Sequence, residues 1–241
     1  RKVSGLLNAM GLEKKIRIAF DEWNLRQWYH PKVHSIQQGI TKEEYLAPRD
    51  ENDDNTKYTM ADAVFSACFL NMCNRRCKLV GMANFAPVVN TRGCIFTWKD
   101  GIVLRSTYHV FDLYVNYLGD IVLDALETEA PEQEMRSLGG HLEKVRLIDT
   151  VVTAFSGREG YAVAAVNKDE YNTQKLSLML ETEGNVTVHS ISGDSAEAYN
   201  DIGHEGVRIL HRELGRYAYG QEVLLEPHSV NIIEIKESIR D

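Results

Sequence analysis

The sequence lacks the features that mark several common classes of protein. It has no apolar run close to the roughly 18 residues that a membrane-spanning helix requires, and its first ten residues contain no apolar signal-peptide core. Basic residues are outnumbered by acidic ones, 27 to 35, which gives a formal net charge of −8. Nucleic acids and anionic membranes attract basic surfaces, so we expect neither as a partner. A neutral glycan is compatible with this charge.

Cysteine is also scarce, and the sequence contains no CxxC pair. The only cysteines are Cys68, Cys73, Cys77 and Cys94. This spacing argues against a zinc site, and small reduced thiols favour a cytoplasmic location. His30 and His34 are four residues apart, but Pro31 disfavours the helix that would bring their rings together. We therefore expect no metal site.

Two adjacent carboxylates follow a short stretch that is typical of a β-strand. Apolar residues alternate with others over residues 16–20, and Asp21 and Glu22 come directly after them. A strict alternation places Glu22 on the face of Phe20 and Asp21 on the other face, so the two acids should have different roles. Three large aromatic residues follow, namely Trp23, Trp28 and Tyr29. An acid next to aromatic rings is typical of an enzyme that cleaves a sugar.

The order of elements in the first half predicts parallel βα units. The strand is followed by a long polar loop over 30–58, a helix over 60–75, a second strand over 78–87 and a helix over 107–118. Two such units cannot close a barrel, since eight are needed. We therefore interpret residues 1–118 as the last part of a (β/α)8 TIM barrel, with strands seven and eight and their helices. The other strands must come from a missing N-terminal segment or from another chain.

The second half has a different pattern. From residue 119 to residue 241, short runs of alternating apolar residues are separated by turn signals, and no long helical pattern intervenes. This pattern predicts an antiparallel β-sandwich domain that begins at the 118–119 boundary. The fold class is therefore α/β plus all-β.

Four segments, taken together, resemble a known family. Phe20-Asp21-Glu22-Trp23-Asn24 with Trp28-Tyr29-His30 resembles the nucleophile segment of the α-L-arabinofuranosidases of glycoside hydrolase family 51. Residues 82–93 are similar to that family's last barrel strand and the loop after it, and residues 107–114 to its last barrel helix. Residues 225–230 resemble the closing strand pair of its C-terminal sandwich. The likeness runs in order through nearly the whole chain and implies the C-terminal part of such an enzyme.

The resemblance implies roles for three residues. Glu22 matches the nucleophile, and Asn84 matches a position, Gln in many members, that hydrogen-bonds sugar hydroxyls. Trp28 matches an aromatic residue on the leaving-group side, although this chain carries extra residues between Asn24 and Trp28. The implied enzyme is a retaining one that removes terminal α-L-arabinofuranosyl residues from arabinose-containing oligo- or polysaccharides. It needs no cofactor and is usually a homo-oligomer.

The second catalytic carboxyl is missing from the sequence. A retaining glycosidase needs two carboxyl groups about 5–5.5 Å apart. The family's acid/base Glu belongs to a strand-four motif, and no segment of this chain matches it. We therefore expect the 241-residue chain alone to be inactive.

Several alternatives stay open at this point. The chain could be a non-catalytic β-sandwich module for glycan binding or assembly, or a related retaining glycosidase that acts on another pentoside or a β-glucan. Asn90 and Arg92 either line the mouth of the pocket or order the loop around them. We expect Trp23 to pack in the core and His109 to be a structural histidine.

Overall fold

The computed structural model describes residues 2–25, 58–90, 93–136 and 140–236. Three helices lie in these ranges, namely α1 (Lys2–Ala9), α2 (Met60–Arg75) and α3 (Ser106–Tyr117). The strands are β1 (Ile18–Trp23), β2 (Val80–Phe85), β3 (Ile95–Trp98), β4 (Gly101–Leu104), β5 (Ile121–Leu123), β6 (Glu132–Arg136), β7 (Leu142–Arg146), β8 (Ile148–Ala154), β9 (Gly160–Asn167), β10 (Gln174–Leu178), β11 (Asn185–Ser192), β12 (Asn200–Asp201), β13 (His204–Glu205), β14 (Arg208–Arg216), β15 (Gln221–Leu225) and β16 (Ser229–Lys236). Within these ranges, no helix is both long and apolar enough to cross a membrane.

The first part of the described chain contains a strand–helix–strand unit. β1 and β2 are parallel neighbours, and α2 lies between them in the chain. The predicted helix over 60–75 is confirmed, and it begins where Asp62 accepts a hydrogen bond from the backbone N–H of Thr59 at 2.8 Å. In the described part of the chain, β1 and β2 pair only with each other.

The predicted antiparallel sheet is confirmed in the second half. Six strands form it, in the order β14-β11-β16-β9-β8-β5. Each neighbouring pair is antiparallel. α2 and α3 pack on one face of this sheet, and the two-stranded sheet of β10 and β15 packs on the other. The described chain is thus mostly β-strand, with sandwich-like sheets.

Two hydrophobic cores lie on the two faces of the six-stranded sheet. The first joins residues of α2 and α3, such as Met60 and Leu113, to the helix-facing side chains of the sheet, such as Ile232. The second joins the opposite face, including Ile233, to Val223 of β15. The first core crosses the predicted 118–119 boundary, and that boundary stays a prediction.

Some strands lie in stretches that the sequence did not indicate. β3 and β4 form a hairpin in a region predicted as a loop, and the turn between them is Lys99-Asp100. β6 and β7 form a second hairpin in which almost every residue is exposed. Short strands of this kind bury too little to produce a clear alternation of apolar and polar residues.

Candidate active site

An aromatic cluster fixes the carboxyl ends of β1 and β2 on the helical layer. The ring of Phe69 on α2 makes an edge-to-face contact with Phe20, at 5.2 Å between ring centroids. The same ring stacks on Trp23, at 4.3 Å. Phe85 of β2 and Phe111 of α3 complete the cluster, at 5.1 Å and 6.0 Å from Trp23. Trp23 is 7% exposed, so its predicted packing role is confirmed.

A β-bulge lies between Phe20 and Trp23. Phe20 pairs with Ala83 and Trp23 pairs with Phe85, so β1 advances three residues where β2 advances two. The extra residue places Phe20 and Trp23 on the same side, against the same helix. The predicted alternation is wrong here, because Glu22 does not share the buried face of Phe20.

The bulge exposes both carboxylates. Asp21 and Glu22 are exposed, whereas Phe20 before them is half-buried and Trp23 after them is buried. The structure therefore presents an acidic pair at the carboxyl end of a parallel strand, on the side away from the helices. In barrel enzymes this end of the strands carries the chemistry.

Asn84 reaches the same exposed face from the neighbouring strand. Ala83 and Phe85 are half-buried, whereas Met82 and Asn84 are exposed, and the Nδ2 of Asn84 donates to the Sδ of Met82 at 3.3 Å. Neighbouring strands are about 4.8 Å apart. Glu22 and Asn84 each precede one residue of the Trp23–Phe85 pair, so the structure brings these two predicted site residues together.

The amino ends of the same strands are held by Arg17. Its Nη2 donates to the carbonyl oxygens of Cys77 at 2.6 Å and Val80 at 2.7 Å. A Cβ on Gly81 would lie 3.2 Å from the Arg17 side chain, so glycine makes room for the guanidinium. This contact ties the start of β1 to the start of β2.

The loop after β2 is ordered by Asn90. Its backbone N–H donates to the carbonyl of Ile95 at 2.7 Å, and its Oδ1 accepts from the backbone N–H of Thr97 at 2.7 Å. Of the two readings for Asn90, these contacts favour loop ordering. Its counterpart Arg92 lies outside the described residues, as do Trp28, His30 and His34.

The ligands that a metal site would need do not come together in the described ranges. No group of three His, Cys, Asp or Glu side chains is placed there to hold an ion. His109 is buried, which lowers its pKa, and its Nε2 lies 3.4 Å from the Nδ2 of Asn200. These contacts agree with the structural role predicted for His109.

Sequence reasoning missed one polar cluster. His189, His211 and Glu234 come from three different strands and lie on the helix-facing side of the six-stranded sheet. No local motif links them, because 22 and 45 residues separate His189 from its two partners. Only the pairing of β11 with β14 and β16 brings them together.

Comparisons with known proteins agree with the family resemblance. The family model described as "Alpha-L-arabinofuranosidase C-terminal domain" matches residues 21–229. A probable α-L-arabinofuranosidase C of Aspergillus fumigatus is 30% identical over 199 residues, which cover 80% of this chain and 35% of the relative. The chain therefore spans about a third of the length of this curated relative.

Solved structures share the fold. The α-L-arabinofuranosidase of Thermotoga maritima, in an arabinose complex, has a TM-score of 0.75 at 23% identity, over 97% of this chain and 46% of that one. The GH51 α-L-arabinofuranosidase of Thermotoga petrophila RKU-1 has a TM-score of 0.69 at 22% identity, over 98% of this chain and 49% of that one. The fold agrees with that of the solved arabinofuranosidases, and because the family model covers most of the sequence, the chain belongs to the α-L-arabinofuranosidase C-terminal domain family.

Proposed function

We propose that this chain supplies the nucleophile of a retaining α-L-arabinofuranosidase. The observation that carries the proposal is the bulge in β1, which exposes Glu22 at the carboxyl end of a parallel strand. Trp23, the next residue, is locked into the aromatic cluster, so the backbone that carries Glu22 is held firmly. A positioned nucleophile requires such a rigid base.

In the proposed reaction, the Glu22 carboxylate attacks the anomeric carbon of a terminal arabinofuranosyl residue. The glycosidic oxygen leaves with a proton from the acid/base carboxyl, and a covalent arabinosyl ester forms on Glu22. Water, deprotonated by the same acid/base group, then hydrolyses the ester. Two inversions at the anomeric carbon give net retention.

Asn84 and Trp28 are proposed substrate contacts. Asn84 is exposed beside Glu22, and its amide can donate to and accept from sugar hydroxyls. The role of Trp28, as a ring on the leaving-group side, rests on the family resemblance alone. The proposed substrates are arabinose-containing oligo- or polysaccharides.

The acid/base carboxyl is proposed to lie outside these 241 residues. We place β1 and β2 as strands seven and eight of a (β/α)8 barrel whose earlier strands come from an N-terminal segment. Coverage of only 35% of a curated relative and 46% of a structural neighbour supports this arrangement. The 241-residue chain alone should then fail to hydrolyse an aryl α-L-arabinofuranoside. By the same resemblance, the complete enzyme is proposed to be a homo-oligomer.

The test compares two carboxylates that the bulge exposes side by side. In the protein with a complete barrel, Glu22→Gln should lower kcat on an aryl α-L-arabinofuranoside by about 10⁴-fold or more, because no ester can form. The matched control is Asp21→Asn, which removes the neighbouring charge and should change kcat by less than about tenfold. If Glu22→Gln retains normal turnover, the chain acts instead as a non-catalytic glycan-binding or assembly module.

A further inference from the structure

A second set of titratable side chains lies far along the chain from Glu22, between α3 and the six-stranded sheet. The Nδ1 atoms of His189 on β11 and His211 on β14 are 2.6 Å apart. The Nε2 of His189 is 2.9 Å from the Oε2 of Glu234 on β16. His189 is 6% exposed and Glu234 is 2% exposed, whereas His211 lies on an edge strand and is exposed.

The contacts of Glu234 determine where the protons lie at neutral pH. Its Oε1 faces Lys236 at 2.5 Å and Arg158 at 3.3 Å, so the carboxylate is ionised and accepts a hydrogen bond from the Nε2–H of His189. A neutral His189 then has a lone pair on Nδ1. With one proton between them, the two Nδ1 atoms form a hydrogen bond across the 2.6 Å contact, in which a neutral His189 accepts from the Nδ1–H of His211.

The charged groups near this network come from β14, β16 and the turn between β8 and β9. β16 contributes Glu234 and Lys236, and Arg158 approaches from the turn between β8 and β9. On β14, the carboxylate of Glu213 accepts a hydrogen bond from the hydroxyl of Thr187 at 2.8 Å. Histidine is the side chain whose ordinary change of charge falls between pH 5 and pH 8.

The network also touches the end of α3. The ring of Tyr117, the last residue of the helix, stacks on His189 at 3.8 Å with an interplanar angle of 12°. The same ring meets His211 edge-on at 5.8 Å. The two histidines thus contact the last residue of α3 where the helix packs on the sheet.

We propose that His189, His211 and Glu234 form a pH-sensitive latch that holds the end of α3 on the sheet. One proton between the two Nδ1 atoms closes the latch. When both imidazoles are protonated, two N–H groups face each other and two positive charges meet beside Lys236 and Arg158. The His211 side chain then rotates into solvent from its edge strand, and Tyr117 loses its edge-on ring contact with His211.

The first test compares thermal unfolding of the 241-residue chain at pH 7.5 and pH 5.5. In His211→Asn, the amide can either donate to or accept from the Nδ1 of His189, so acid does not break the contact. The wild-type Tm should fall about 3–5 °C further than the Tm of His211→Asn over this range. His204→Asn, which changes an exposed histidine outside the network, should behave like wild type. Equal acid losses in wild type and His211→Asn would overturn the latch.

A second measurement needs no variant. In the wild-type chain, imidazole ¹⁵N spectra at pH 7.5 should show His189 as the Nε2–H tautomer. At pH 5.5, amide exchange in residues 112–117 and in β14 should rise about tenfold after correction for the intrinsic rate. A Nδ1–H tautomer of His189 at pH 7.5, or unchanged protection of these residues at pH 5.5, would contradict the proposal.

Discussion

Trp23 is the residue that joins the carboxyl end of β1 to the helical layer. Its indole is 7% exposed and packs on Phe69, Phe85 and Phe111. Trp23→Ala should therefore lower the free energy of unfolding by about 3–5 kcal/mol, because it leaves a large cavity beside three rings. Urea unfolding of the variant measures this loss. Tyr219→Ala, at a side chain that is 67% exposed, is the control and should change stability by less than about 0.5 kcal/mol. A loss for Trp23→Ala as small as that of the control would refute the packing role.

At the level of single residues, the sequence predicted the packing of Trp23 correctly and the direction of Glu22 wrongly, and the catalytic role of Glu22 stays a prediction. The motif around Glu22 and the order of Asp21, Glu22 and Trp23 were sufficient to single out the acidic pair. The direction of the Glu22 side chain was predicted wrongly, because a strict alternation has no place for an extra residue. The bulge results from the fit of Phe20 and Trp23 to one helix, and such tertiary packing leaves no local signal.

Among the elements, α2 is tied to both α3 and β8 by a single buried side chain. The Nδ2 of Asn71 donates to the Oδ1 of Asp149 at 2.8 Å, and its Oδ1 accepts from the hydroxyl of Tyr114 at 2.6 Å. Burial raises the pKa of Tyr114 well above its usual range, so the hydroxyl stays a donor. Arg75 engages the Asp149 carboxylate through both of its terminal nitrogens, at 3.0 and 2.9 Å.

Removal of this amide should loosen the helical layer. Asn71→Ala eliminates the hydrogen bonds of a fully buried amide to Asp149 and Tyr114 and should destabilise the chain by about 2–3 kcal/mol in urea unfolding. Asn116→Ala, which removes an exposed amide from α3, is the matched control and should be within about 0.5 kcal/mol of wild type. If the two variants are equally stable, Asn71 does not link these elements.

Helices and long strands were predictable because each has a sustained periodicity. α2 was predicted to its terminal residues, since an apolar helix with an acidic N3 residue is a strong local pattern. The hairpins β3–β4 and β6–β7 were not predicted, because their strands have only four or five residues, and those of β6–β7 are also largely exposed. Their pairing depends on neighbours that are remote in sequence or on turn geometry.

For the whole molecule, the depressed pKa values of two carboxyls predict a loss of stability in acid. The pKa of Glu234 is lowered overall. Burial alone would raise this pKa, but the hydrogen bonds from His189 and Lys236 outweigh the effect of burial. The pKa of Asp169 is likewise lowered, because hydrogen bonds from Tyr171 and Asn172 outweigh the effect of burial. A carboxyl with a lowered folded-state pKa stabilises the fold above its unfolded pKa, and this contribution is lost as pH falls through the folded value.

This linkage can be measured on Glu234. The stability difference between wild type and Glu234→Gln should be largest near pH 7 and should shrink as the pH falls below the ordinary glutamate value of 4.5. Urea unfolding at a series of pH values gives the slope. A difference that stays constant across this range would show that the Glu234 carboxylate contributes nothing to acid stability.

Azide rescue gives the sharpest test of whether Glu22 forms the covalent intermediate. In the protein with a complete barrel, Glu22→Ala should be inactive on an aryl α-L-arabinofuranoside, and azide should restore release of the aryl group. Azide takes the place of the missing carboxylate, so the product should be the β-L-arabinofuranosyl azide, with inverted configuration. An α-configured azide would assign Glu22 as the acid/base residue instead. Full activity of Glu22→Ala without azide would show that Glu22 has no catalytic role.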